Sequence, residues 1–132
     1  MDIRECAVAY HKRGFNCAQA VLCSCESYTG LDEKTALSVS GGFGGGLRCG
    51  EVCGAVSGAV MAAGLCCPYS DSRDLQAKDN IAALARELTG RFREKYGALR
   101  CAEIKIDKER CNDYIAFMAE QAEQVIQKFN NK

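Results

Sequence analysis

The chain has 132 residues, 48% hydrophobic and 26% charged, which suits one soluble domain over residues 1–132 with a buried core. Its 17 basic and 17 acidic side chains cancel, so composition offers neither the basic field that attracts nucleic acid nor a cationic membrane patch. The outlier is cysteine, with ten residues, and the opening Met1-Asp2-Ile3-Arg4-Glu5-Cys6 is charged rather than apolar; together these lead us to expect a cytoplasmic protein with reduced thiols.

Helical periodicity dominates, and no run alternates as a strand does. Ile3, Cys6, Ala7 and Tyr10 form one stripe, which Gly14 ends. Asn16 reads as an N-cap with Gln19 as its capping-box partner, opening a second helix to about Tyr28 that closes at Gly30. Asp32 is placed to cap a third helix through Ala36, Leu37 and Val39. Five of the six residues Gly41–Gly46 are glycine, which predicts a loop or a close approach of backbones.

A fourth helix is expected over roughly Glu51 to Leu65, with Gly50, Gly54, Gly58 and Ala62 as a small-residue stripe and Cys66-Cys67-Pro68 as its end. That stripe fits close packing inside the chain, with a homodimer contact as the other use. The charge-free stretch from Val52 to Tyr69 is too poor in large aliphatic residues for membrane insertion and reads as a buried helix. Ile81, Leu84, Ala85, Leu88 and Phe92 mark a fifth helix capped by Gly97. Asp107 caps the last, whose stripe is Ile115, Met118, Ala122, Val125 or Ile126, and Phe129. The expected fold is all-α: a compact bundle of five or six helices, with a Gly-rich loop before a central Gly/Ala-rich helix.

Several motifs are missing. The glycine run lacks the strand, spacing and acidic partner of a dinucleotide fingerprint, and no P-loop lysine follows it. There is no Cys-x-x-Cys pair, and the only histidine, His11, reads as a surface residue near a helix end. Position is then the remaining signal. Cys17 and Cys53 fall in the first turns of two helices, where thiolates are stabilised. Cys101 falls in a short connection and Cys111 at the inward start of the last helix. Each of the four also fits a small buried hydrophobe. Cys49, four residues before Cys53, is a candidate extra ligand or resolving thiol if the helix extends that far back. Cys6, Cys23 and Cys25 read as packing, and Cys66-Cys67 as a loop end.

Gly14-Phe15-Asn16-Cys17-Ala18-Gln19, the glycine run, Cys53-Gly54-Ala55-Val56-Ser57-Gly58, then Cys101 and Cys111 resemble the C_GCAxxG_C_C family over nearly the whole chain. That family is described as redox-active proteins with four characteristic cysteines. The resemblance implies that Cys17, Cys53, Cys101 and Cys111 are those four. A related domain in a cytochrome implies that such cysteines can ligate a [2Fe–2S] cluster, which requires four thiolates. The expected function is therefore redox or electron transfer with an unidentified partner protein. Two alternatives stand beside it: metal-free thiol–disulfide chemistry with Cys17 and Cys53 as the active pair, and a non-catalytic module with structural zinc or only a packed core. No general base or acid–base pair accompanies the thiols, so nothing beyond a possible oxidoreductase component is indicated.

Overall fold

The computed structural model describes residues 1–131. Seven α-helices follow one another: α1 (Ile3–Lys12), α2 (Cys17–Ser24), α3 (Glu26–Thr29), α4 (Glu33–Ser40), α5 (Gly54–Cys66), α6 (Leu75–Tyr96) and α7 (Lys108–Asn130). Short 3₁₀ turns lie at Gly41–Phe43 and Cys101–Glu103. No strand occurs among the described residues, only an isolated antiparallel bridge between Val52 and Arg100. No helix among them is long and apolar enough to cross a membrane.

The helix starts follow from local hydrogen bonding. Asp2, Asn16, Asp32, Asp74 and Asp107 each accept a backbone N–H of the first turn, and Asp2 with Glu5 and Asn16 with Gln19 complete reciprocal boxes. Gly30 and Gly97 end α3 and α6 in the left-handed conformation.

The count of seven corrects the expected five or six. One continuous second helix was anticipated as far as Tyr28, but it breaks at Cys25. The Ser24 hydroxyl donates to Val21 O at 2.7 Å, and the Cys25 N–H bonds Leu22 O rather than Val21 O. A side chain competing for a helical carbonyl tightens and ends the helix there.

The central helix also starts later than Glu51. Its first residue is Gly54, with Cys53 as the N-cap outside helical geometry. α5 is buried on nearly all sides, packing on α2, α6, α7 and α3, with α2 its most extensive partner. A Cβ on Gly58 would lie 2.6 Å from Ala18 O and 3.2 Å from Val21 Cβ. The small-residue stripe is thus spent inside the chain, with Gly54, Gly58 and Ala62 all buried; Gly50 lies in the preceding turn instead of on the helix.

Phe92, Leu88, Ile115, Met118, Ile126 and Leu22 fill the core around α5, α6 and α7. Each such side chain contributes about 1.5–3 kcal/mol by leaving water. Cys23, Cys25 and Cys67 are buried, while Cys6 and Cys66 are half-buried.

Candidate functional site

The glycine run does not form a floppy loop. Gly45, Gly46, Leu47 and Arg48 all have positive φ, at 65°, 64°, 59° and 62°, so the chain makes one left-handed turn. Glu51 N–H closes it on Gly46 O at 2.9 Å. Two side chains hold its base to the bundle: Asn16 Nδ2 and an Arg48 guanidinium nitrogen both donate to Gly41 O, at 3.0 and 3.1 Å. Gln19 Nε2 adds a bond to Leu37 O at 3.0 Å. The same Asn16–Gln19 box that starts α2 therefore anchors the loop above it.

After the turn the chain runs extended. The Cys53 N–H donates to Leu99 O at 2.8 Å and the Cys101 N–H to Glu51 O at 2.7 Å. This two-bond ladder, flanked by an Arg100–Glu51 ion pair at 3.0 Å, sets Cys53 opposite Leu99 and Cys101 opposite Glu51, so the two cysteines lie diagonally on one face of the antiparallel bridge between Val52 and Arg100. From the opposite end, α7 brings Cys111 in its first turn. Tyr114, one turn further, donates its hydroxyl to Lys105 O at 2.7 Å and so ties the 101–107 connection to α7.

Cys17, Cys53, Cys101 and Cys111 all line one cavity of ≈ 210 Å³. Its other walls are His11, Asn16, Gly45, Ile104, Ile106 and Tyr114, with no Lys, Arg, Asp or Glu among them. The structure thus brings together the four residues that sequence position and family resemblance singled out. Cys49 is not part of this cavity. The expected helical extension that would have set it above Cys53 is absent, because the left-handed turn intervenes; its thiol is exposed and lies 3.5 Å from Gly46 O.

Cys17 and Cys53 interact across the cavity. The Cys53 thiol donates to Cys17 sulfur, and this bond, with the amides of Gly45, Ala18 and Cys17 itself, outweighs burial and holds Cys17 down at about 6. The same bond, burial and the adjacent Cys17 charge push Cys53 far above the ordinary thiol range. The pair shares one proton, as coupled sites do. Cys101 and Cys111 are raised, first by burial and then by the Cys17 charge. Positive φ at Gly45 belongs to the turn that delivers its N–H to Cys17.

These cysteines and glycines carry the family pattern. The family described as "Putative redox-active protein (C_GCAxxG_C_C)" has a model that matches residues 15–125. The chain belongs to this family. No curated protein and no solved structure matches it. The structure supplies a physical reason for part of the C_GCAxxG_C_C motif: a Cβ at the glycine after Cys53 would lie 2.5 Å from Cys17 Sγ, and one at Gly58 would strike α2.

His11 is the residue that sequence reasoning misplaced. It was expected at the surface, but it is half-buried, lines the cysteine cavity, and its Nδ1 is 2.6 Å from Asn112 Oδ1. The available signal was spacing: Ile3, Ala7 and His11 are each four apart, so His11 continues the inward stripe of α1.

Among the described residues no three Cys, His, Asp or Glu side chains are grouped tightly enough to hold one metal ion. A tetrahedral zinc needs four donors on one ion. A [2Fe–2S] centre shares four thiolates between two irons and makes no such demand of a single point.

Proposed function

We propose that Cys17, Cys53, Cys101 and Cys111 form one redox centre whose cofactor is a [2Fe–2S] cluster, and that the protein is an electron carrier. The observation behind this reading is the convergence of four thiols, from four separate segments, on one cavity with no Lys, Arg, Asp or Glu in its wall. Dithiol exchange needs only two. Four is the ligand number of the cluster, and thiolate is its preferred donor. Bound there, a cluster supplies one-electron transfer without proton chemistry at a substrate. The chain's own contribution is to orient and tune: the amides of Gly45 and Ala18 reach Cys17 and that of Ala55 reaches Cys53. Hydrogen bonds of this kind to cluster sulfurs raise reduction potential. Ile104, Ile106 and Tyr114 limit water at the centre. Three of the four thiols hold their protons above the ordinary range, so ligation releases protons and is favoured by rising pH. Cys53→Ser in anaerobically purified protein should abolish the visible absorption; an unchanged spectrum removes Cys53 from the ligand set.

A second reading is favoured by the pairing of Cys17 with Cys53 in this cavity. There the Cys17 thiolate attacks a partner disulfide and releases one partner thiolate. Cys53 then loses its proton and attacks Cys17 sulfur, releasing the second partner thiolate and leaving a Cys17–Cys53 disulfide. Two thiols per chain disappear and one partner disulfide is reduced. Titration of metal-free protein before and after oxidation should differ by about two thiols per chain under this reading. An unchanged count removes it.

A further inference from the structure

His11 stands between two cavities. One is the cysteine cavity; the other, of ≈ 410 Å³, opens outward between the end of α1 and the start of α7 and is lined by His11, Lys12, Gly14, Phe15, Lys108 and Asn112. We propose that this outer vestibule binds the oxyanion group, carboxylate or phosphate, of a small ligand at the threshold of the redox centre.

The argument starts from charge. The chain carries equal numbers of acids and bases, and the other surface cavities mix the two signs or are acidic. The vestibule alone among the cavities described is basic without an acid in its wall. Neither Lys12 nor Lys108 is paired with a carboxylate among the described residues, so both charges are available to a ligand in the opening. Like charges facing one opening raise the local concentration of anions. Asn112 adds specific donors: with its Oδ1 taken by His11 Nδ1, its amide N–H groups are left to bond an oxyanion. Phe15, half-buried in the wall, gives the ligand's apolar part a surface. Because His11 lines both cavities, a ligand held here is separated from the thiol cavity by that one side chain, whichever redox chemistry the thiols perform.

The test is a titration of the full chain, followed by ¹H–¹⁵N spectra, with sodium succinate and, separately, inorganic phosphate. Saturable shifts centred on Gly14, Phe15, Lys108 and Asn112 are expected for at least one anion, and the tighter of the two identifies the class. Lys12→Ala with Lys108→Ala should weaken that binding about tenfold, while Lys12→Arg with Lys108→Arg should keep it. Both lysines are exposed, so neither variant disturbs the core. Absence of saturation with both anions, equal shifts at distant lysines such as Lys34 and Lys78, or an alanine variant that binds as well as the parent would each overturn the site.

Discussion

The sulfur of Cys17 rests on the backbone of Gly54: an added Cβ there would approach it to 2.5 Å, and would lie 2.9 Å from Phe43 O and 3.1 Å from Ala18 N. Nothing larger than hydrogen fits between the central helix and the thiol. Gly54→Ala must therefore push α5 from α2 or turn Cys17 away from Cys53. We expect a stability loss of about 1–3 kcal/mol, as for overpacked cores. We also expect slower alkylation of Cys17 near neutral pH, because its thiolate loses the Cys53 donor. Denaturant unfolding and mass-resolved alkylation read the two effects. A variant that matches the parent in both contradicts this packing.

The shared proton predicts a pH profile for the reduced, metal-free protein. Between about 6 and the unfolded thiol value of 9.0, the unfolded chain holds two protons on Cys17 and Cys53 while the folded pair holds one. Stability therefore rises with pH across that window. Above it the unfolded thiols ionise while Cys53 keeps its proton, so the contribution falls. The raised Cys23 and Cys25 act in the same falling direction there. Urea midpoints should increase from pH 6 to pH 8, and Cys17→Ser should flatten that increase. An equal rise in the variant would place its origin elsewhere.

Asn16 does two jobs, capping α2 and bonding Gly41 O. Asn16→Ala should cost about 1–2 kcal/mol for the lost cap and more for the lost tie between α2 and the loop, since Gly41 O keeps only its bond from Arg48. Asn16→Asp keeps a capping oxygen but cannot donate to Gly41 O. It should therefore recover helix stability without restoring the Cys17 thiolate, because Gly45 is no longer held. Thermal unfolding and the pH dependence of alkylation separate these outcomes. If aspartate restores both, the Gly41 bond is not what positions the loop.

Leu47 and Arg48 take the left-handed conformation, which costs a residue with a side chain about 1–2 kcal/mol. Leu47 is 51% exposed, so little packing offsets that cost. Leu47→Gly should stabilise the protein by up to about 1 kcal/mol after the added freedom of the unfolded chain is counted. A clear loss of stability would mean that the leucine side chain makes a contact that outweighs its strain.

What the sequence displays well is local. Asn16 with Gln19, Asp32, Asp107 and Gly97 act within one helical turn, so their spacing alone predicts the ends they form. The inward stripe of α7 is equally visible, with Ile115, Met118, Ala122, Val125 and Ile126 all buried, although Phe129 at its end is only half-buried. Other features depend on partners distant in the chain. The late start of α5 follows from the Cys53–Leu99 and Cys101–Glu51 bonds across nearly fifty residues, which no helical period encodes. Five glycines announce an unusual backbone at 41–46, but a left-handed turn extending into Leu47 and Arg48 is set by its tertiary anchors. His11 was legible only as a continuation of the stripe; its place beside the cysteines comes from the packing of α1 on α7. The meeting of the four cysteines was implied by the family resemblance, not by their separations in the chain.

The most direct measurement of the central claim is iron, acid-labile sulfide and the visible spectrum of protein purified without oxygen. The account predicts about two irons and two sulfides per chain, with absorption that bleaches on reduction and falls in each of Cys17→Ser, Cys53→Ser, Cys101→Ser and Cys111→Ser, but not in Cys49→Ser. Protein that stays colourless, with neither iron nor sulfide, both as purified and after anaerobic reconstitution with the two, would contradict it.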